Sequence, residues 1–266
     1  MALWEIAREG NVLIASYNNP PMNYLTGSAM VEFRELMPQF EDPGIRAVIL
    51  QGAPDGLFIT HFSVEALVAM GESGRLDEAD YHFFHDTKDY WFLLEALDKP
   101  VICAMTGSTM GGGFETALGC DIRIAERGDY LIGLPEARLG ILPGGAGLTR
   151  LTRMFGAANA INYILRGQVF SPEEALQQGF VHEVATDARA TALELAREMS
   201  KLTPTAVRTI KQSIYQGANL PFDEALVLES KGFYDCMKSE EGMREMRSYT
   251  AMSFEERAEF MKPGSK

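Results

Sequence analysis

Short apolar runs alternate with stretches of helical periodicity through the first half of the chain. Strands separated by helices are typical of a largely parallel sheet with crossover helices, so this pattern predicts an α/β fold. The predicted strands are Val12 to Tyr17, Arg46 to Gly52, Pro100 to Met105, Asp121 to Ala125 and Tyr130 to Leu134, and the predicted helices between them are Gly27 to Phe40 and Ala79 to Ala96.

The second half differs, because the strand pattern stops after Asp187. The predicted helices there are Thr191 to Leu202, Pro204 to Gln216, Phe222 to Met237 and Glu240 to Tyr249. We therefore divide the chain into an α/β core, residues 1–195, and a helical region, residues 196–266. The helical region is too small and too amphipathic to be stable alone, so its apolar face is expected to dock on the core or on another subunit.

Composition excludes several classes of protein. The 266 residues are 46% hydrophobic and 23% charged, as in an ordinary globular protein, and no apolar run reaches the roughly 18 residues that a membrane span requires. Lys and Arg total 24 against 37 Asp and Glu, and the net charge of −13 disfavours nucleic acid and anionic membranes as partners. We expect a soluble cytoplasmic protein that binds neither.

Metal and nucleophile motifs are absent from the sequence. Cys103, Cys120 and Cys236 are too widely spaced for a metal knuckle or a disulfide framework, which favours a reducing compartment. There is no GxSxG elbow and no HExxH helix. The four histidines form no strong ligand pattern, and the His82/His85 pair is more typical of polar packing. We expect no metal site.

Three successive glycines follow the predicted strand Pro100 to Met105. Gly111, Gly112 and Gly113 precede a helical stretch, where glycine lets the backbone approach a ligand and leaves unpaired N–H groups at a helix N-terminus. Such a site can hold a phosphate or an oxyanion. The segment matches neither glycine pattern of nucleotide-binding loops, and tight packing of strand against helix explains the glycines equally well.

Two glutamates accompany the glycines. Glu115 falls in the first turn of the predicted helix, near the same N–H groups, and Glu136 falls in the loop after the strand Tyr130 to Leu134. Loops at strand ends often carry the sites of α/β proteins. Taken singly, Glu115 complements the helix dipole and Glu136 is a solvated loop acid, and the residues alone leave these interpretations open.

Together these stretches resemble the crotonase superfamily, specifically its enoyl-CoA hydratases. The order and spacing of the two signatures are far more specific than either glycine cluster alone, and the likeness continues to about residue 235. The first signature comprises Lys99-Pro100-Val101-Ile102-Cys103-Ala104, Gly107, Gly111-Gly112-Gly113, Glu115 and Cys120-Asp121-Ile122, and the second comprises Pro135-Glu136 and Leu139-Gly140-Ile141-Leu142-Pro143-Gly144-Gly145-Ala146-Gly147.

The resemblance implies a fold, an assembly and a substrate. The fold would be a crotonase-like spiral of ββα units with a C-terminal helical trimerisation region, assembled as a homotrimer or a dimer of trimers. The substrate would be an acyl-CoA thioester, and coenzyme A would be its carrier rather than a cofactor, so that no cofactor is expected.

The resemblance also implies a site and a reaction. Water would add to a trans-2-enoyl-CoA to give a 3-hydroxyacyl-CoA, with Glu115 as the base toward water and Glu136 as the donor to the α-carbon. The backbone N–H groups of Phe62 and Gly112 would form an oxyanion hole for the thioester. The residues expected to contact the substrate are His61, Gly111, Gly113, Pro135 and Gly144.

His61 stands where the resemblance leads us to expect glycine. Two interpretations are open: the imidazole contacts the thioester or the CoA chain, or it packs and forms hydrogen bonds in a reshaped loop.

Alternative functions also stay open at this point. A double-bond isomerase needs one proton-shuttling acid, for which Glu136 suffices, whereas the retention of Glu115 favours hydration. The fold also hosts noncatalytic acyl-CoA binders and RNA-associated relatives. Both carboxylates argue against a noncatalytic protein, and the acidic charge balance argues against RNA.

Overall fold

A six-stranded sheet forms the centre of the structure, which is a computed structural model that describes residues 2–74 and 88–262. The strands of the described residues are β1 (Trp4–Glu9), β2 (Val12–Tyr17), β3 (Ala47–Gly52), β4 (Val101–Met105), β5 (Thr109–Met110), β6 (Ile122–Glu126), β7 (Ile132–Gly133), β8 (Val169–Phe170) and β9 (Glu183–Ala185). A hairpin of β1 and β2 begins the six-stranded sheet, and β3, β4, β6 and β9 follow β2 in parallel, in that spatial order. The predicted α/β class is confirmed.

Helices connect the strands and make up the whole C-terminal part of the described chain. They are α1 (Gly27–Glu35), α2 (Met37–Glu41), α3 (Val64–Glu72), α4 (Lys88–Ala96), α5 (Gly112–Leu118), α6 (Gly147–Leu165), α7 (Pro172–Gln177), α8 (Ala188–Met199), α9 (Pro204–Gly217), α10 (Phe222–Lys238), α11 (Glu240–Ala251) and α12 (Phe254–Phe260), together with a short 3₁₀ helix, Glu136–Leu139. None of the described helices combines the length and apolar character of a membrane span.

Some element boundaries differ from those predicted. The single helix predicted from Gly27 to Phe40 divides at Leu36, since Pro38 has no N–H to donate and lies in the first turn of α2. Of the helix predicted from Ala79 to Ala96, the part before α4 lies outside the described residues, as do the two histidines of the predicted pair. The strand predicted from Tyr130 to Leu134 contracts to the two residues of β7.

The sheet is buried on both faces, as a parallel sheet requires. Successive side chains of a strand point to opposite faces, so Val48 and Leu50 join the larger core, whereas Ala47 and Ile49 face α8. Helix α8 presents three small residues to that face: Ala188, Ala192 and Ala196.

A second, three-stranded sheet brings distant parts of the chain together. β5 pairs in parallel with β7, and β7 pairs antiparallel with β8. Because β5 leads directly into α5 and β7 leads into the 3₁₀ helix, this sheet places the N-terminus of α5 beside the start of the 3₁₀ helix. The pairing continues past β5, where the Gly111 N–H donates to the Gly133 carbonyl at 3.0 Å.

The helical region is attached to the core through a buried ion pair. The Lys211 ammonium on α9 lies 2.8 Å from the Asp121 carboxylate, which also accepts from the Tyr215 hydroxyl at 2.7 Å and from the Val101 N–H at 2.7 Å. Helix α9 thus contacts the core through polar groups, and the docking of the apolar face stays a prediction. Residue 195, the predicted domain boundary, lies inside α8, and the division itself stays a prediction.

We predict that Asp121→Asn destabilises the protein by about 3 kcal/mol or more, because it leaves the buried Lys211 ammonium without its counter-charge. Urea unfolding at fixed protein concentration measures this change. The matched control is Glu173→Gln, which breaks the exposed Arg127–Glu173 pair at 2.7 Å and is expected to cost about 1 kcal/mol or less. Equal costs for the two variants would contradict the prediction.

Candidate active site

Two backbone N–H groups from separate segments lie next to each other. The segment before α3 forms a parallel bridge to Leu25: the His61 carbonyl accepts from the Leu25 N–H at 2.8 Å, and the Ser63 N–H donates to the Leu25 carbonyl at 2.9 Å. The Phe62 N–H is not used by this bridge. A Cβ built on Gly112 would lie 3.4 Å from the Phe62 nitrogen, which shows how closely the two backbones approach.

Neither of these N–H groups has a hydrogen-bond acceptor in the part of the chain that the structure describes. Gly112 is the first residue of α5, so its N–H lacks an intrahelical partner. The preceding Gly111 has φ +49°, a backbone conformation that favours glycine. The Phe62 and Gly112 N–H groups are therefore a pair of free donors at a helix N-terminus, suited to a negatively charged oxygen.

The Glu115 carboxyl group lies in the first turn of α5 and is 3% exposed. Its Oε1 accepts from the Gly145 N–H at 2.7 Å and from the Gly147 N–H at 2.8 Å, which fixes the side chain. Burial raises the pKa of Glu115 to about 7, although the two backbone hydrogen bonds and the positive charge of Arg150 act in the opposite direction.

The Glu136 carboxyl group begins the 3₁₀ helix after β7 and is 8% exposed. Its Oε1 lies 3.2 Å from the position of a Cβ built on Gly111, and its Oε2 is buried without a hydrogen-bond partner among residues 2–74 and 88–262. Burial, and secondly the negative charge of Glu115, raise the pKa of Glu136 to about 7.

This arrangement suits proton transfer beside a developing negative charge. With both pKa values at about 7, one of the glutamates Glu115 and Glu136 can accept a proton while the other donates one. Among the described residues, no group of three or more His, Cys, Asp and Glu side chains is placed to hold a metal ion. The expected absence of metal and cofactor stays a prediction.

Comparison with known proteins identifies the family. The family model described as enoyl-CoA hydratase/isomerase matches residues 7–260. The chain belongs to this family. The prediction of a crotonase-superfamily member with the corresponding fold is thereby confirmed.

Individual members of the family are similar over most of their length. The short-chain-enoyl-CoA hydratase of Clostridium acetobutylicum is 33% identical over 248 residues, which are 92% of this chain and 93% of that protein. A probable enoyl-CoA hydratase of Bacillus subtilis is 32% identical over 90% of this chain and 92% of its own. The crystal structure of enoyl-CoA hydratase from Bacillus anthracis superimposes with a TM-score of 0.84, at 26% identity, covering 93% of this chain and 96% of that one.

The four central residues predicted from the family resemblance come together in space. Glu115, Glu136, Phe62 and Gly112 surround the N-terminus of α5, although they come from three separate stretches of the chain. Their geometry is compatible with the predicted roles, which stay predictions.

The glycines and the proline predicted to contact substrate have different surroundings. Gly111 lies between the Glu136 carboxyl group and the His61 side chain, whereas Gly113 is packed so tightly on the Ile59 carbonyl that a Cβ would overlap it. Gly144 is exposed with open space beside it. Pro135 is half-buried and caps the 3₁₀ helix. Only the placement of these residues is observed, and their contacts with substrate stay predictions.

His61 packs and forms a hydrogen bond within its own loop. Its Nδ1 lies 2.7 Å from the Phe62 carbonyl oxygen, and its ring stacks on Tyr24 with 4.3 Å between centroids and 27° between planes. Because a carbonyl only accepts, Nδ1 carries the proton. The second of the two interpretations of His61 is the one that these contacts support, and contact with a substrate stays a prediction.

Trp91 and Arg150 are site neighbours that the sequence analysis did not assign to the site. A Cβ built on Gly145 would lie 2.5 Å from the Trp91 ring and 2.7 Å from Glu115 Oε2, so the indole and the carboxyl group flank the same point. The Arg150 guanidinium donates to the Trp91 carbonyl. Trp91 lies on α4, and helical spacing carries no signal that singles out one ring.

We predict that Gly145→Ala destabilises the protein by about 1–3 kcal/mol, because the new methyl group must displace the Trp91 ring or the Glu115 carboxyl group. Denaturant unfolding measures the cost, and tryptophan emission reports the movement of the indole. The neighbouring variant Gly144→Ala has open space for its methyl group and should stay within about 0.5 kcal/mol of wild type. Similar effects from both alanines would count against the crowding of Trp91 and Glu115.

Proposed function

We propose that the protein is an enoyl-CoA hydratase, which adds water across the 2,3 double bond of a trans-2-enoyl-CoA to give a 3-hydroxyacyl-CoA. One observation carries the proposal: two buried carboxyl groups, Glu115 and Glu136, both with a pKa of about 7, lie beside two free backbone N–H groups. The names of the similar proteins from C. acetobutylicum and B. subtilis support it.

The proposed reaction uses these four groups together. The thioester oxygen accepts hydrogen bonds from the Phe62 and Gly112 N–H groups, which form an oxyanion hole. Glu115 takes a proton from water as the water oxygen bonds to C3, and the π electrons move toward the thioester oxygen. Glu136 then gives its proton to C2. One proton is taken up and one is released by the carboxyl pair, so the net change is the addition of water.

Double-bond isomerisation is the second candidate. It requires one carboxyl group that takes a proton from one carbon and returns it to another. Glu136 suits this role because its Oε2 has no hydrogen-bond partner within the described ranges, whereas Glu115 Oε1 already accepts two hydrogen bonds. Hydration is favoured because it uses both buried carboxyl groups.

We predict that Glu115→Gln and Glu136→Gln each lower the rate of hydration by about a hundredfold or more, since each removes a positioned acid or base. Loss of enoyl absorbance with a panel of trans-2-enoyl-CoAs measures the rate, and calorimetry should show that thioester binding is largely retained. Circular dichroism controls for folding. Full activity of Glu115→Gln, with activity abolished only in Glu136→Gln, would replace hydratase by isomerase.

An apolar surface on the helical region supports a homotrimer or a dimer of trimers. Ile210 and Ile214, one turn apart on α9, are 55% and 61% exposed, and Phe222 and Phe233 on α10 are 84% and 68% exposed. Large apolar side chains exposed in such number are typical of an interface. These side chains lie on the helices predicted to mediate assembly.

We predict that light scattering of the wild type at micromolar concentration gives the mass of a trimer or hexamer, and that Phe233→Glu gives a smaller species, because a charge is placed in the apolar contact. Val31→Glu is the matched control, since Val31 is 48% exposed on α1, outside the helical region. A monomeric wild type would refute the proposed assembly.

The proposed compartment is the reducing cytoplasm. Cys103, Cys120 and Cys236 are free, and the first two are buried in the core. Burial raises the pKa of the Cys103 thiol above its ordinary value, as expected for an inert core thiol.

A further inference from the structure

Arg150 joins three elements around the candidate site. Its side chain is 8% exposed, and its Nε lies 2.7 Å from the Glu95 carboxylate on α4. Its Nη2 donates to the Trp91 carbonyl, also on α4, and its Nη1 lies 3.5 Å from the Glu115 carbonyl on α5. The guanidinium therefore links α6, where Arg150 itself lies, to the two helices that carry Trp91 and Glu115.

The start of α6 holds Glu115 from the side-chain end as well. The Gly147 N–H donates to Glu115 Oε1 at 2.8 Å, and Arg150 follows Gly147 by three residues, on the same face of the helix. The carboxyl group of Glu115 is thus held by backbone N–H groups, while its own backbone carbonyl lies next to the guanidinium. A displacement of Arg150 would disturb both ends of this residue.

The charge of Arg150 is paired with that of Glu95. The Glu95 side chain is 20% exposed, so the pair lies at the edge of the core. Charges interact strongly in such surroundings, because little water screens them. The positive charge of Arg150 lowers the pKa of Glu115 against the larger raising effect of burial.

We propose that Arg150 is a positioning residue for Glu115, which holds its helix and supplies positive charge to its carboxylate, and that Glu95 limits how much of this charge Glu115 experiences. The inference rests on the proposed hydratase function, in which Glu115 must be ionised to accept a proton from water. It adds a charged pair, Glu95–Arg150, to a site otherwise built from two carboxyl groups and backbone N–H groups.

Other charged and titratable groups near α5 set the background. Glu136 faces Glu115 from the 3₁₀ helix, and the negative charge of Glu115 raises the pKa of Glu136. On α4, the Tyr90 hydroxyl contacts Thr116 at 3.3 Å. Arg123 on β6 donates to the Cys120 carbonyl, beyond the opposite end of α5. The Glu95–Arg150 pair differs from these groups, because it contains two opposite charges. Either charge can be removed by substitution while the other is kept.

The test is the pH profile of kcat/KM for hydration of trans-2-butenoyl-CoA by the full chain. The wild type should give a bell near pH 7, whose acidic limb reports Glu115 losing its proton and whose alkaline limb reports Glu136. Arg150→Met removes positive charge, so the acidic limb should shift to higher pH by about half a pH unit or more. Glu95→Gln leaves Arg150 unopposed, so the acidic limb should shift to lower pH.

A merely structural role of Arg150 would lower the rate without shifting the acidic limb in opposite directions in Arg150→Met and Glu95→Gln. Opposite shifts therefore distinguish the proposal from such a role. Arg150→Lys keeps the charge and should restore the position of the acidic limb. The matched control is Arg153→Met, which removes an exposed arginine one turn further along α6 and should leave the limb unmoved. If Arg150→Met does not fold, Glu95→Gln and Arg150→Lys still decide the question.

A second readout separates this proposal from the proposed function. Infrared spectra follow the protonated carboxyl band of Glu115, assigned by its loss in Glu115→Gln, as a function of pH without substrate. Opposite shifts of this titration in Arg150→Met and Glu95→Gln would support the positioning role even if no enoyl-CoA were hydrated. Shifts in the same direction, or none, would overturn it even in an active hydratase.

Discussion

Two backbone segments, residues 56–62 and 107–113, lie so close together that Gly107 and Gly113 have no room for a side chain, and the site depends on this contact. A Cβ on Gly107 would overlap the Gly56 carbonyl, and a Cβ on Gly113 would overlap the Ile59 carbonyl. Glycine is therefore required at both positions. The close approach brings the Phe62 N–H beside the N-terminus of α5, so that one packing constraint creates the pair of free donors.

The same contact explains why two carboxyl groups are buried together. Once α5 is held against the loop of Phe62, its first turn places Glu115 inside the protein, and the β5–β7 pairing brings Glu136 to the same place. Burying a carboxylate is costly unless hydrogen bonds compensate, and Glu115 receives two of them from the loop before α6. Burial leaves both groups with a pKa of about 7, which is the range in which acid and base functions are both accessible.

Polar groups also hold the surrounding helices in place. Lys211, Asp121 and Tyr215 attach α9 to the N-terminal ends of β4 and β6, and Arg150 links α4, α5 and α6. In both cases a long cationic side chain donates to backbone carbonyls as well as to a carboxylate. Such contacts are directional, so they fix the relative position of helices more narrowly than apolar packing alone does.

The sequence by itself determined the α/β class, the helical region after Asp187 and, through two motifs, the family. Those features depend on local periodicity and on residue types at fixed spacing, as in the strand Val12–Tyr17, whose observed bounds equal the predicted ones. Strands as short as β5 and β8 carry too few residues for periodicity to reveal them. Only the tertiary structure decided that Trp91 and Arg150 neighbour Glu115 and that His61 stacks on Tyr24. These contacts join segments far apart in the chain, and no local sequence pattern shows which distant residues will meet.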